Sequence, residues 1–80
     1  MSTSVRVKAD DAKRLKSDTA FTQFFEEVRQ AQMSIFANST KEQSEVREEA
    51  HAILRALNAV EVYLDAVIAA ETLLDRKQRK

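Results

Sequence analysis

Glu48 and His51 are the residues whose types and spacing come closest to a metal-binding motif. They stand three positions apart in a stretch expected to be helical, so their side chains project from the same side of the helix. A Glu-x-x-His unit on a helix is a building block of di-metal carboxylate sites in helical bundles. Glu26 and Glu27 are expected near the same level on the preceding helix. A symmetric dimer could therefore assemble carboxylates and imidazoles into such a site.

The register of the helix argues against this metal site. Apolar residues at heptad spacing, among them Ile53, are expected to face inward, which turns Glu48 and His51 outward. We therefore interpret His51 as a solvated residue between Arg47 and Arg55, and we expect no metal or cofactor. A di-metal oxidase of the encapsulated-ferritin type stays as the last of three functional hypotheses.

Other catalytic chemistry finds no support in the composition. The 80 residues include no cysteine, glycine or proline. Thiol chemistry is therefore excluded, and neither a glycine-bearing nucleophile elbow nor a glycine-rich phosphate loop is present. We expect a non-enzymatic protein with no small-molecule substrate. The absence of turn-forming glycine and proline predicts an all-α fold.

The apolar pattern predicts one domain over residues 1–80, built as an antiparallel helical hairpin with a long second helix. In chain order, the predicted elements are an extended arm (1–8), a short helix (9–16), a helix (18–37), a long helix (40–76) and a basic tail (77–80). The arm is inferred because Val5 and Val7 alternate with Arg6 and Lys8.

The helix over residues 18–37 carries all four phenylalanines. Ser17 and Asp18 are suitable N-caps for it. Its rings could stack on bases, but Glu26 and Glu27 beside them favour core packing. A capping box of Ser39 with Glu42, or of Thr40 with Gln43, is expected to start the long helix.

The two hairpin helices differ in length by roughly 25 Å at 1.5 Å per residue. Asp18 is expected near the level of Glu61, so the second half of the long helix extends beyond the first. That half is apolar on nearly all sides, and a helix of this kind is a buried one. Residues 5–15 can cover only one face, which predicts a homo-oligomer or a larger protein assembly. The predicted interface residues are Val60, Leu64, Val67, Ile68 and Leu74, and further apolar residues lie on the far side at Ala59, Val62, Ala66, Ala69 and Leu73.

Charge is balanced overall but unevenly placed. Residues 1–16 carry a net charge of +3, residues 17–75 carry −7 and residues 76–80 carry +4. Basic residues at the two termini could contact nucleic acid or an acidic partner. These residues are Arg6, Lys8, Arg76, Lys77, Arg79 and Lys80. A nucleic-acid-associated packaging or regulatory factor is therefore the second functional hypothesis.

Neither a secretory signal nor a membrane-spanning segment is expected. Met1 is followed by Ser-Thr-Ser, and the uncharged run of residues 66–70 is much shorter than the roughly 20 residues that cross a bilayer. We expect the protein to be cytoplasmic at synthesis.

Three stretches resemble small helical proteins encoded among the head and packaging genes of tailed bacteriophages. They are residues 12–21 (AKRLKSDTAF), 47–51 (REEAH) and 54–57 (LRAL). The likeness extends from Ala12 to about Leu74. It implies a virion or assembly component without catalytic residues, in agreement with our first hypothesis of a self-associating structural or adaptor subunit.

Overall fold

One long helix forms one side of the molecule, and two consecutive helices form the other. The computed structural model describes residues 2–78, and within that range the regular structure is entirely helical: α1 (Ser2–Ser17), α2 (Thr19–Asn38) and α3 (Ser44–Gln78). The predicted all-α class and the long last helix are confirmed. The molecule measures 59 × 23 × 16 Å along its principal axes, which is little more than one helix thick in its smallest dimension.

Both α1 and α2 run antiparallel to α3. Arg6 pairs with Asp75, Lys16 with Asp65 and Arg29 with Glu61. The residue number of the partner on α3 decreases as the residue number on α1 and α2 increases. Between Lys16 and Arg29 the chain advances 13 residues, whereas the partner position on α3 moves by only four. The end of α1 and the start of α2 therefore overlap beside α3.

The extended arm predicted for residues 1–8 is wrong over the described residues. Val5, Arg6, Val7 and Lys8 belong to α1, which continues without a break to Ser17. The physical reason is that a lone strand leaves its backbone amides and carbonyls without partners, whereas a longer helix pairs them. Met1 lies outside the described residues.

Asp18 separates α1 from α2, as its capping chemistry predicts. Its backbone is extended (φ −73°, ψ 118°), and its side chain accepts a hydrogen bond from the Phe21 amide at 2.9 Å. The Asp18 amide in turn donates to the Leu15 carbonyl at 3.1 Å, which closes the last turn of α1. The N-cap therefore ends one helix and starts the next with no intervening loop.

The connection between α2 and α3 is longer than predicted. α3 begins at Ser44, not at Thr40. The Thr40 amide donates to Gln43 Oε1 at 2.8 Å, but this bond closes the turn before the helix and does not start the helix as the predicted capping box would. The Arg47 guanidinium donates to the Thr40 carbonyl and holds this turn against the helix. The later start shifts the register, so Glu61 lies at the level of Arg29 and not of Asp18.

The fully buried side chains of the described chain are all alanines: Ala9, Ala12 and Ala50. Alanine lets two helices approach closely but contributes little apolar area of its own. The radius of gyration is 17.3 Å, compared with about 11.6 Å for a compact domain of this length. The fold is therefore a thin layer with a small core.

Candidate helix-packing surface

The residues of the predicted interface lie mostly against helices of the same chain. Leu64, Val67, Ile68 and Leu74 are half-buried, whereas Val60 is 44% exposed. Leu64 and Val67 line a surface depression together with Leu15 of α1. In the single chain, α1 thus already covers part of the surface that the heptad pattern assigns to a partner.

A second apolar face of α3 is left exposed by the rest of the chain, although Ala66 on it lines a surface depression with Val5 and Lys8 of α1. We call it the outer face, and it consists of the far-side residues Ala59, Val62, Ala66, Ala69 and Leu73, all of them exposed. Val62 is 58% exposed and Leu73 is 56% exposed, and the neighbouring Tyr63 is 58% exposed. Large side chains on this face contribute little to the fold of the chain itself.

The phenylalanines of α2 are partly packed and partly exposed. Phe21 and Phe25 are half-buried with ring centroids 5.3 Å apart, and the Arg29 guanidinium lies 5.7 Å from the centre of the Phe25 ring. Phe24 is 65% exposed and Phe36 is 45% exposed, so the prediction that all four rings pack in the core is wrong for these two. Val28 and Ile35 are also exposed on α2.

Charged side chains fix α1 on α3. The Arg6 guanidinium donates to Asp75 at 2.6 Å and to Gln78 at 3.1 Å, and the Lys13 ammonium donates to Glu71 at 2.6 Å. The hydrogen bond to Glu71 and the attraction of its carboxylate raise the pKa of Lys13 above its ordinary value of 10.5. These exposed ion pairs mark the register of α1 on α3, and the buried residues of α1 are Ala9 and Ala12.

Glu48 and His51 line one shallow depression with Arg47 and Phe36. The Phe36 and His51 rings lie 6.5 Å apart, and the nearby guanidinium disfavours a second cation. Within residues 2–78, no group of three or more histidine, cysteine or acidic side chains is placed to hold a metal ion.

The expectation that Glu26 shares a level with Glu48 and His51 is wrong. Glu26 lines a separate depression with Arg29 and Glu61, because the connection between α2 and α3 shifts the register of the hairpin. The chain therefore does not bring Glu26 beside Glu48 and His51.

The antiparallel arrangement of α1 and α3 gathers basic residues at one end of the molecule. Arg6 is engaged by Asp75, whereas Lys8, Arg76 and Lys77 are exposed and form no ion pair with carboxylates of the described chain. Arg79 and Lys80 lie outside the described residues. Lys77 belongs to α3, so the predicted basic tail is in part helical.

Comparison with known proteins returns no matching family model, curated sequence or solved structure. Among the helices described, none is long and apolar enough to span a bilayer.

Sequence reasoning identified the apolar residues of both faces of α3. It placed the predicted interface on the face that includes Leu64 and Val67, which we call the inner face and which α1 partly covers. No signal in the sequence distinguishes the face that α1 covers, because both faces offer alanine, valine and leucine at heptad spacing.

Proposed function

We propose that this chain is a non-enzymatic structural or adaptor subunit that packs its helices against another protein chain. One observation carries the proposal. In the described part of the chain, no side chain larger than alanine is fully buried, whereas Phe24, Val62, Tyr63 and Leu73 are more than half exposed. Large apolar side chains exposed in this number are typical of a chain that packs against a partner.

The total exposed area supports the same proposal. The chain exposes 6331 Å². A typical folded monomer of 9.1 kDa exposes about 4,900 Å². The excess of about 1,400 Å² exceeds the roughly 800 Å² that one partner contributes to a standard protein interface. This excess accompanies the elongated shape of the chain and leaves room for one contact of standard size.

The resemblance of residues 12–21, 47–51 and 54–57 to phage head and packaging proteins supports a place in virion assembly. In that setting the chain would be made in the cytoplasm and become part of a larger protein shell or connector. A subunit that is thin, helical and open on one face suits such an assembly, since its neighbours supply the missing core.

The proposal is tested by two variants of neighbouring residues. Leu73→Asp places a charge on the outer face of α3, and Thr72→Asp makes the same change in charge one residue earlier, about 100° around the helix. Burying an unpaired carboxylate in an interface costs several kcal/mol. We expect sedimentation to show that Leu73→Asp lowers the mass of the assembly, whereas Thr72→Asp leaves it unchanged. Circular dichroism should show the same helical content in both.

The proposal fails if the unmodified chain and both variants sediment as single chains at every concentration. If Leu73→Asp retains the full mass of the assembly, the outer face of α3 is not the surface through which the chain associates.

A nucleic-acid-associated packaging or regulatory factor is a second candidate, favoured by the clustering of Lys8, Arg76 and Lys77 at one end. Contacts with phosphate release counterions, so binding to a labelled DNA duplex should fall steeply with salt. Lys77→Ala should reduce the slope of log K against log salt by about 1. Absence of binding at low salt would reject this candidate.

A further inference from the structure

We infer that the outer face of α3 is covered by the same face of a second copy of this chain, with the two α3 helices antiparallel. This inference rests on the proposed function and specifies its partner and geometry. It follows from the placement of two opposite charges relative to the apolar residues between them.

Glu48 and Arg76 stand at equal distances from Val62, in opposite directions along α3. Each is 14 residues away, which is two heptads, so all three side chains lie on one side of the helix. At 1.5 Å per residue each charge lies about 21 Å from Val62. Both charged side chains are exposed, and neither forms an ion pair with another described residue.

This spacing makes the face self-complementary in only one orientation. When two α3 helices meet antiparallel with Val62 opposite Val62, Glu48 of each copy lies beside Arg76 of the other. A parallel arrangement would place Glu48 against Glu48 and Arg76 against Arg76, which is repulsive at both ends.

The residues between the charges allow close packing. At alternating spacings of four and three they are Ala52, Arg55, Ala59, Val62, Ala66, Ala69 and Leu73. Alanines let the helix axes approach, while Val62 and Leu73 supply the larger apolar contacts. Arg55 is the one charged member, and its aliphatic stem can lie along the partner helix with the guanidinium in water.

The whole chain exposes about 1,400 Å² more than a compact monomer of its mass, compared with the roughly 800 Å² that each partner buries in a standard complex. A foreign helix of complementary charge could satisfy the same face. A second copy is favoured because this face carries both charges, at matching distances, by itself.

Cross-linking of single-cysteine variants tests the orientation, since the chain has no cysteine of its own. The variants are Glu48→Cys, Arg76→Cys and Val62→Cys, each treated with a short bis-maleimide reagent. In the antiparallel pair, position 48 of one copy lies close to position 76 of the other. The two positions within one chain are about 42 Å apart, beyond the reach of the reagent.

We expect cross-linked dimer in an equilibrated mixture of Glu48→Cys and Arg76→Cys, and little in either variant alone. One variant is labelled with ¹⁵N, so the mass identifies the product as mixed. Val62→Cys should cross-link by itself in either orientation and serves as the control for an outer-face contact. Circular dichroism and sedimentation should confirm that each variant is still helical and associated before it is treated.

Strong cross-linking of Glu48→Cys with itself would overturn the antiparallel orientation and leave the proposed function intact. Absence of cross-linking in Val62→Cys, while the assembly persists in sedimentation, would overturn the outer-face contact and likewise leave the proposed function intact. Single-chain sedimentation of the unmodified protein would overturn both.

Discussion

The two apolar faces of α3 resemble each other in composition but differ in what they contact. The inner face carries Leu64 and Val67 half-buried near α1, and it includes Glu71, which is paired with Lys13. The outer face carries Val62 and Leu73 more than half exposed. Both faces present apolar residues at alternating spacings of four and three.

The inner-face residues pack within the chain and stabilise its fold. The outer-face residues are the ones that we propose contact another chain. An apolar residue that contributes no packing to its own chain still costs solubility and risks aggregation. The run of such residues on the outer face is the surface that the proposed partner would cover. The inner face packs against other helices of the same chain, and the outer face is the basis for the proposed assembly.

The largest expected difference between the faces is in the response to a buried charge. Leu64 lines depressions on both sides of the region where α1, α2 and α3 meet. Leu64→Asp should destabilise the chain by about 3 kcal/mol or more, which is enough to unfold so small a core. We expect circular dichroism to show loss of helix for Leu64→Asp, whereas Leu73→Asp retains its helical signal. A fully helical Leu64→Asp would mean that the inner face does not hold the fold.

The contrast between packed and exposed residues also exists on α2, where we expect a smaller difference in the free energy of unfolding. Phe25 is half-buried beside Phe21, whereas Phe24 is 65% exposed. Complete removal of a buried phenylalanine costs about 3 to 5 kcal/mol, so Phe25→Ala should lower the free energy of unfolding by about 2 kcal/mol. Phe24→Ala should change it by less than about 0.5 kcal/mol in the dissociated chain. Urea titration at low protein concentration measures both. Equal losses would contradict the assignment of Phe25 to the packed side.

The smallest expected effect is that of pH on the ion pair between α1 and the inner face. Because Glu71 raises the pKa of Lys13 above 10.5, the pair contributes its full stabilisation below that pH. The contribution is lost as the pH rises through the raised pKa. Lys13→Arg keeps its charge in this range and should lose less stability in alkaline urea titrations. An identical alkaline loss in both proteins would show that this pair does not help to hold α1.

Much of the fold follows from the sequence because its signals are local. The spacing of apolar residues predicted α3, and the capping chemistry of Asp18 predicted the start of α2. The alternation of Val5 and Val7 was misleading, since a short apolar pattern fits a strand or the end of a helix equally well. The register of α3 depended on the length of the connection after Asn38, which has no glycine or proline to mark its limits.

The candidate surface was only partly predictable for a different reason. Both faces of α3 offer similar apolar residues, so the sequence alone does not say which of them α1 covers. That choice depends on contacts made at a distance in the chain, such as those of Arg6 with Asp75 and Lys16 with Asp65.

The most direct test of the proposed self-association is the solution mass of the unmodified chain at two widely separated concentrations. Sedimentation equilibrium should give at least twice 9.1 kDa at the higher concentration and approach 9.1 kDa on dilution. A helical protein with the mass of one chain at both concentrations would contradict it.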